Sequence, residues 1–125
     1  MNPWTTTVRG MAYLVREGET LVLWLTPQEK VQASHGEIRV PLSSVTSVEV
    51  LENPIKSVHG LRIGAGVPGS MLVGTVIGWH TKTFAVIHAD TRRGVRVKLN
   101  GAKFDQLVLG CDDPETMINS LAMPS

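Results

Sequence analysis

Met11-Ala12-Tyr13-Leu14-Val15, then Glu17-Gly18-Glu19, then Leu21-Val22-Leu23-Trp24-Leu25, is the stretch whose reading decides the class of the fold. Two short apolar bursts around a polar, glycine-centred break predict a β-hairpin. Side chains alternate across a strand, so Leu21, Leu23 and Leu25 share one face and Val22 and Trp24 the other. Both faces are apolar, which predicts a strand buried on both sides. The chain then changes period. Thr26-Pro27-Gln28-Glu29 reads as a helix start, with a capping threonine, proline at the first helical position and a glutamate two residues further on. Gly36 predicts the stop, in the manner of a C-terminal glycine cap, so this internal helix is short.

Strand signals resume downstream. Glu37-Ile38-Arg39-Val40 alternates until Pro41, and Val45, Val48 and Val50 mark a β-branched stretch that Pro54 breaks. Residues 60–69, with Gly60, Gly64, Gly66, Pro68 and Gly69, are densest in turn-formers and are expected to form an irregular loop. Strands are expected over Met71–Trp79 and Phe84–Ala89, joined by the polar turn His80-Thr81-Lys82-Thr83. Asp90 to Gly94 turns the chain again. Val95-Arg96-Val97-Lys98-Leu99 then sets three aliphatics on one face and two cations on the other, and Leu107-Val108-Leu109 is the last expected strand. Asp113 can cap a closing helix, Pro114 suits its first position and Glu115 its positive end. Met117, Ile118 and Leu121 give that helix one apolar stripe to lay on a sheet. The expected class is mainly β (α+β): about seven or eight short strands, a short internal helix and a C-terminal helix, in a small barrel or sandwich plugged at one end.

Bulk properties bound the function. At 125 residues the chain is expected to be one domain, 1–125, able to bury roughly two thirds of its unfolded surface. With 42% hydrophobic and 18% charged residues it has a globular composition. Twelve basic residues nearly balance eleven acidic ones, so net charge gives no push toward nucleic acid or anionic membrane. The single cysteine, Cys111, fits a reducing compartment, and Met1-Asn2-Pro3-Trp4-Thr5 does not read as a signal peptide, so a cytoplasmic location is expected. The longest apolar run, Met71 to Gly78, falls far below the roughly 20 residues of a membrane-spanning helix.

Several weak motifs in order carry a resemblance. Leu23-Trp24-Leu25-Thr26-Pro27-Gln28-Glu29-Lys30-Val31, followed by Gly36-Glu37-Ile38-Arg39-Val40-Pro41-Leu42-Ser43-Ser44-Val45, resembles a group of uncharacterised actinobacterial proteins. So do Gly60-Leu61-Arg62 with Gly66-Val67-Pro68-Gly69, then Gly74, Phe84-Ala85-Val86-Ile87-His88 and Asp112-Asp113-Pro114-Glu115. These proteins look like bacterial versions of the pleckstrin-homology fold. The resemblance covers about residues 12 to 122 and implies a barrel of two near-orthogonal antiparallel sheets, closed by a C-terminal helix. It also implies a binding module for phosphoinositides, peptides or partner proteins, among which fold alone does not choose. Phosphoinositide binders of this kind use basic residues around the first hairpin. Here that region offers only Lys30 and Arg39, beside Glu29 and Glu37.

Site candidates are few. The glycines at 64, 66 and 69 lack the lysine and Ser/Thr of a P-loop, and a tight loop explains them. His35, His59, His80 and His88 show no ligand spacing and Cys111 has no CxxC partner, so neither a metal nor another cofactor is expected. Ser43, Ser44 and Ser70 lie outside any G-x-S-x-G elbow, and the aspartates after Cys111 raise the pKa of its thiol, so no enzyme is expected. The candidate anion site is a basic patch: Arg92 and Arg93 at an expected hairpin tip, with Arg96 and Lys98 on the outward strand face. An ordinary charged strand face explains the same residues. A second candidate is the long connection Glu52 to Gly69, with Lys56, His59 and Arg62. Trp4, Trp24 and Trp79 are either core or interface. The leading expectation is a non-catalytic module for a protein partner. The alternatives are a binder of a small anionic ligand or anionic lipid, and a homo-oligomeric unit assembling through sheet edges.

Overall fold

The computed structural model describes residues 12–33, 36–67, 71–88 and 91–121. Expectations that fall on Trp4, Met11, His35, Gly69, Ser70, Ala89 and Asp90 lie outside these residues. The opening hairpin forms as expected. β1 (Tyr13–Glu17) and β2 (Thr20–Trp24) pair antiparallel around Gly18, whose φ of 62° suits glycine. β3 (Ile38–Pro41) adds to β2, making a three-stranded sheet in the order β1-β2-β3. Between β2 and β3 lies α1 (Pro27–Ala33). Its capping box is closed in both directions: the Glu29 N–H donates to Thr26 Oγ1 at 3.2 Å, and the Thr26 N–H donates to Glu29 Oε1 at 2.8 Å.

A short turn, Leu42–Ser44, carries the chain into a second sheet of six strands. These are β4 (Val45–Leu51), β5 (Leu61–Val67), β6 (Met71–Ile77), β7 (Lys82–Ile87), β8 (Gly94–Leu99) and β9 (Gln106–Gly110). Their order is β4-β8-β9-β7-β6-β5, and all neighbours are antiparallel except β7 and β9. The closing helix α2 (Pro114–Ser120) starts as expected, with Asp113 accepting the Thr116 N–H and Pro114 in the first turn.

The class is mainly β, and four particulars depart from the expectation. Among the described residues there are nine strands rather than seven or eight, and the two sheets stack without closing into a barrel. Residues 61–67 form strand β5, where an irregular loop was expected. The alternation Leu-Arg-Ile-Gly-Ala-Gly-Val carries the period of a strand, but its glycines weigh as turn-formers. They are present because β5 and β6 approach closely. Gly64 pairs with Gly74, and a Cβ on Gly74 (φ 153°) would stand 2.2 Å from the Ile63 carbonyl oxygen. Third, Lys82 and Thr83 belong to β7, and the turn before it falls at Gly78–Thr81, closed by a bond from Gly78 N–H to Thr81 carbonyl at 2.8 Å. Fourth, β7 and β8 do not form a hairpin, because β9 lies between them.

Alternation sorts the core. Val95, Val97 and Leu99 turn inward as expected and meet Leu14, Leu21, Leu23, Ile38 and Val40 of the other sheet. Leu121 is buried in this core, with Met117 and Ile118 packed against it. The opposite face of the six-stranded sheet carries a second core of Leu51, Val58, Leu72, Val76, Ala85, Ile87 and Val108. It is covered by residues 52–60, which cross the sheet from β4 at one edge to β5 at the other. This crossing explains why β7 and β9 are buried on both faces.

Candidate functional site

The structure scatters the basic patch. Arg92 and Arg93 lie in the crossover that takes the chain from β7 over β9 to β8. Arg93 is held between two carboxylates, with Nε 3.1 Å from Glu52 Oε1 and Nη1 3.0 Å from Glu115 Oε1. These bonds raise its pKa and pull that of Glu115 below its ordinary value, so Arg93 clamps the end of β4 to the first turn of α2. Arg96 does share the outward face of β8 with Lys98, but its Nε donates to Glu49 Oε1 at 2.6 Å on the neighbouring strand. Among the described residues Arg92 and Lys98 have no ion-pair partner, and both are exposed. The second candidate group is divided as well. Lys56 and His59 are exposed on the crossing segment, whereas Arg62 is an exposed residue of β5.

One polar cluster escaped the sequence reading. Glu29, 1% exposed, accepts from the Ala12 N–H at 2.9 Å through Oε2. His88 Nε2 lies 2.6 Å from the same oxygen; a carboxylate accepts, so the ring nitrogen donates. The capping glutamate thus ties together the start of β1, the start of α1 and the end of β7. The helix cap was legible in the sequence, but nothing in the spacing of residues 29 and 88 signals the histidine. Burial, with the charges of Asp112 and Asp113 adding to it, pushes the Cys111 thiol up to about 12. Among the described residues, no three His, Cys, Asp or Glu side chains gather where they could hold a metal ion, and no helix is long and apolar enough to cross a membrane.

Among the described residues the surface has one marked apolar feature. Leu61, Ile63, Ile77 and Trp79 are 68%, 48%, 43% and 89% exposed. Register shows that three of them share a face: Leu61 pairs with Ile77, Ile63 with Thr75 and Ala65 with Val73, which lies in the main core. They therefore continue the core-facing side of the sheet beyond the part that is covered. α1 packs on β5 and β6, and its Glu29 meets His88 just past β7, beside the Leu72 end of β6. The helix shields that end and leaves the Leu61–Ile77 end open. Trp79 stands beyond it in the β6–β7 turn, edge-on to the His80 ring at 5.4 Å.

β5 is also a sheet edge, and comparison with the other edges sets it apart. α2 packs against β1 and β4, and β4 carries a register shift between Val45 and Ser47. β3 is four residues long and holds Arg39, paired with Glu17 at 3.1 Å and with Glu37 at 3.0 Å. The Leu42 N–H donates to the Glu19 carbonyl, so the preceding Pro41 sits where a backbone N–H would point away from β2, the place an edge tolerates proline. A cavity of about 280 Å³ lies beside β3, lined by Ile38, Val40, Ala102 and Phe104 together with Glu37, Arg39, Pro41 and Lys103. The amino groups of Lys82 and Lys103 stand 5.3 and 5.8 Å from the Phe104 ring centroid. β5, by contrast, runs seven residues with one charge, no proline and no register shift, and Leu61, Arg62, Ile63, Gly64 and Gly66 are all exposed. Apart from Arg62 and the packing of α1 at the end away from Leu61, it carries none of the devices that blunt a strand edge among the described residues.

Comparison with known proteins returns no match to a family model, to a curated protein or to a solved structure.

Proposed function

We propose that this chain is a non-catalytic interaction module that takes an extended segment of a protein partner along β5. The observation that carries the reading is the coincidence of a seven-residue edge, open at its Leu61 end, with Leu61, Ile63, Ile77 and Trp79 exposed beside it. An added strand satisfies the free backbone groups of the edge, and the apolar side chains supply affinity and selectivity. A contiguous exposed apolar patch marks an interaction site, and tryptophan is among the residue types that dominate binding energy at interfaces. The resemblance to bacterial pleckstrin-homology-like domains supports a binding role. Two stacked sheets with a closing helix agree with it, while the six-stranded sheet and the open sandwich depart from it. The single cysteine favours a cytoplasmic setting. The alternative of an anionic ligand or lipid on the basic face is weakened by the engagement of Arg93 and Arg96 with carboxylates.

The test is capture from lysate, followed by reconstitution of each recovered partner with the purified chain. Binding should fall at least tenfold with Ile63→Lys and hold with Arg92→Glu and Lys98→Glu. The opposite pattern would transfer the function to the basic face.

A further inference from the structure

The strand that pairs with β5 is, we infer, β5 of a second copy of this chain, antiparallel about a two-fold axis at Gly64; this rests on the reading of β5 as a docking edge. Pairing about Gly64 sets Ile63 opposite Ala65, Arg62 opposite Gly66, and Leu61 opposite position 67 of the other copy. Ile63 thus meets a small side chain, and the strand's single cation faces a glycine rather than its own image, so no like charges are opposed.

The helices give the second argument. The axis runs normal to the sheet, so the core-facing sides of both copies lie on one side of a continuous twelve-strand sheet. In each copy α1 shields the end of β5 and β6 away from Leu61. Antiparallel pairing brings the open Leu61–Ile63 end of one copy alongside the helix-covered end of the other, and the reverse by symmetry. The exposed aliphatics gain a neighbour that neither copy provides for itself. A heterologous strand would bring no such helix. At about 3.3 Å per residue the edge is about 23 Å long, and a ladder of that length alone falls short of the ~1,600 Å² of a standard interface. Self-association is therefore weak and depends on concentration.

Sedimentation equilibrium of the full chain should show the mass rising from 13.6 kDa toward twice that value between low-micromolar and high-micromolar concentration. Hydrogen exchange within Leu61–Val67 should slow over the same range. Ile63→Lys, at a half-exposed position, should keep the urea midpoint of the wild type and stay at 13.6 kDa. A 13.6 kDa species persisting to ~1 mM overturns the inference, as does a dimer that survives Ile63→Lys or leaves β5 exchange unchanged. Anionic vesicles bound through Ile63 by a monomeric chain would overturn it too. A monomer that still captures another protein through Ile63 removes the second copy and leaves the docking edge standing; loss of both removes both.

Discussion

Truncating Glu29 should destabilise this protein far more than a helix cap alone explains. The carboxylate is 1% exposed and accepts from Thr26 N–H at 2.8 Å, Ala12 N–H at 2.9 Å and His88 Nε2 at 2.6 Å. Glu29→Ala removes its half of the capping box, about 1 kcal/mol. It also removes the acceptor from the Ala12 and His88 donors, at about 1–3 kcal/mol for each that stays buried. His88 keeps 21% side-chain exposure, so water can replace part of that bond. The lower part of the range therefore applies, roughly 3 kcal/mol in total, a large share of the 5–15 kcal/mol of a typical domain. Glu29→Gln keeps one carbonyl oxygen for Thr26 but turns an amide NH₂ toward the Ala12 N–H, and should cost about half as much. Urea unfolding, followed by tryptophan fluorescence, reads both. Glu37→Ala is the control, because the Glu37–Arg39 pair is on the surface and should be worth less than ~1 kcal/mol. If Glu29→Ala stays within ~0.5 kcal/mol of the wild type, the three-way tie has no energetic content.

Gly74→Ala meets the Ile63 carbonyl at 2.2 Å and a φ of 153°, and should cost at least about 2 kcal/mol. Because β5 is an edge strand, hydrogen exchange should locate the loss in Leu61–Val67 while β7 and β9 stay protected. Cys111 is 6% exposed, and its thiol is pushed up to about 12, so native protein at pH 8 should react with an alkylating reagent only after unfolding. Rapid labelling in the folded state would refute that burial. Arg93 holds Glu115 below its ordinary 4.5, which adds stability above that pH and loses it as pH falls through the folded-state value. Arg93→Ala returns Glu115 toward 4.5, so its urea midpoint should fall less steeply in acid than that of the wild type.

What could be read from the sequence is what is decided locally. The hairpin at Gly18, the Thr26 and Asp113 caps and the inward run Val95, Val97, Leu99 each depend on residues within one turn or strand. Strand order does not. β9 enters between β8 and β7 through parallel pairing with β7, a contact between residues such as Ala85 and Val108 that no local pattern announces. The same limit governed the basic patch. Arg93 meets Glu52 and Glu115 across separations of 41 and 22 residues, and Arg96 meets Glu49 across a register only pairing can set. β5 failed for a different reason. Its period-two alternation is present, but glycine serves equally for a turn and for two backbones in close approach, and Gly74 decides between them from the neighbouring strand. Trp79 follows an apolar run that reads as buried strand, yet β6 ends at Ile77 and leaves the ring outside.

The state of the sheet edges then bears on why an apolar one persists. Of the four strand edges among the described residues, β1 and β4 pack against α2, β3 carries Arg39 and Pro41, and β5 has only Arg62 and the packing of α1 at the end away from Leu61. Those are the ordinary defences against strand addition, and each uses a residue or an element the fold supplies cheaply. β5 could have been defended as simply, by a lysine at Ile63 or a proline at an outward-facing position, without touching the core, since Leu61 and Ile63 make little of it. An open edge that joins head to tail with the next molecule grows without limit, whereas an isologous pairing about Gly64 uses up both edges and stops at two copies. Ile63→Lys separates these outcomes in one variant: it should abolish self-association and raise solubility together. A variant that gains solubility while its dimer persists would mean that β5 is an aggregation liability and the dimer forms elsewhere.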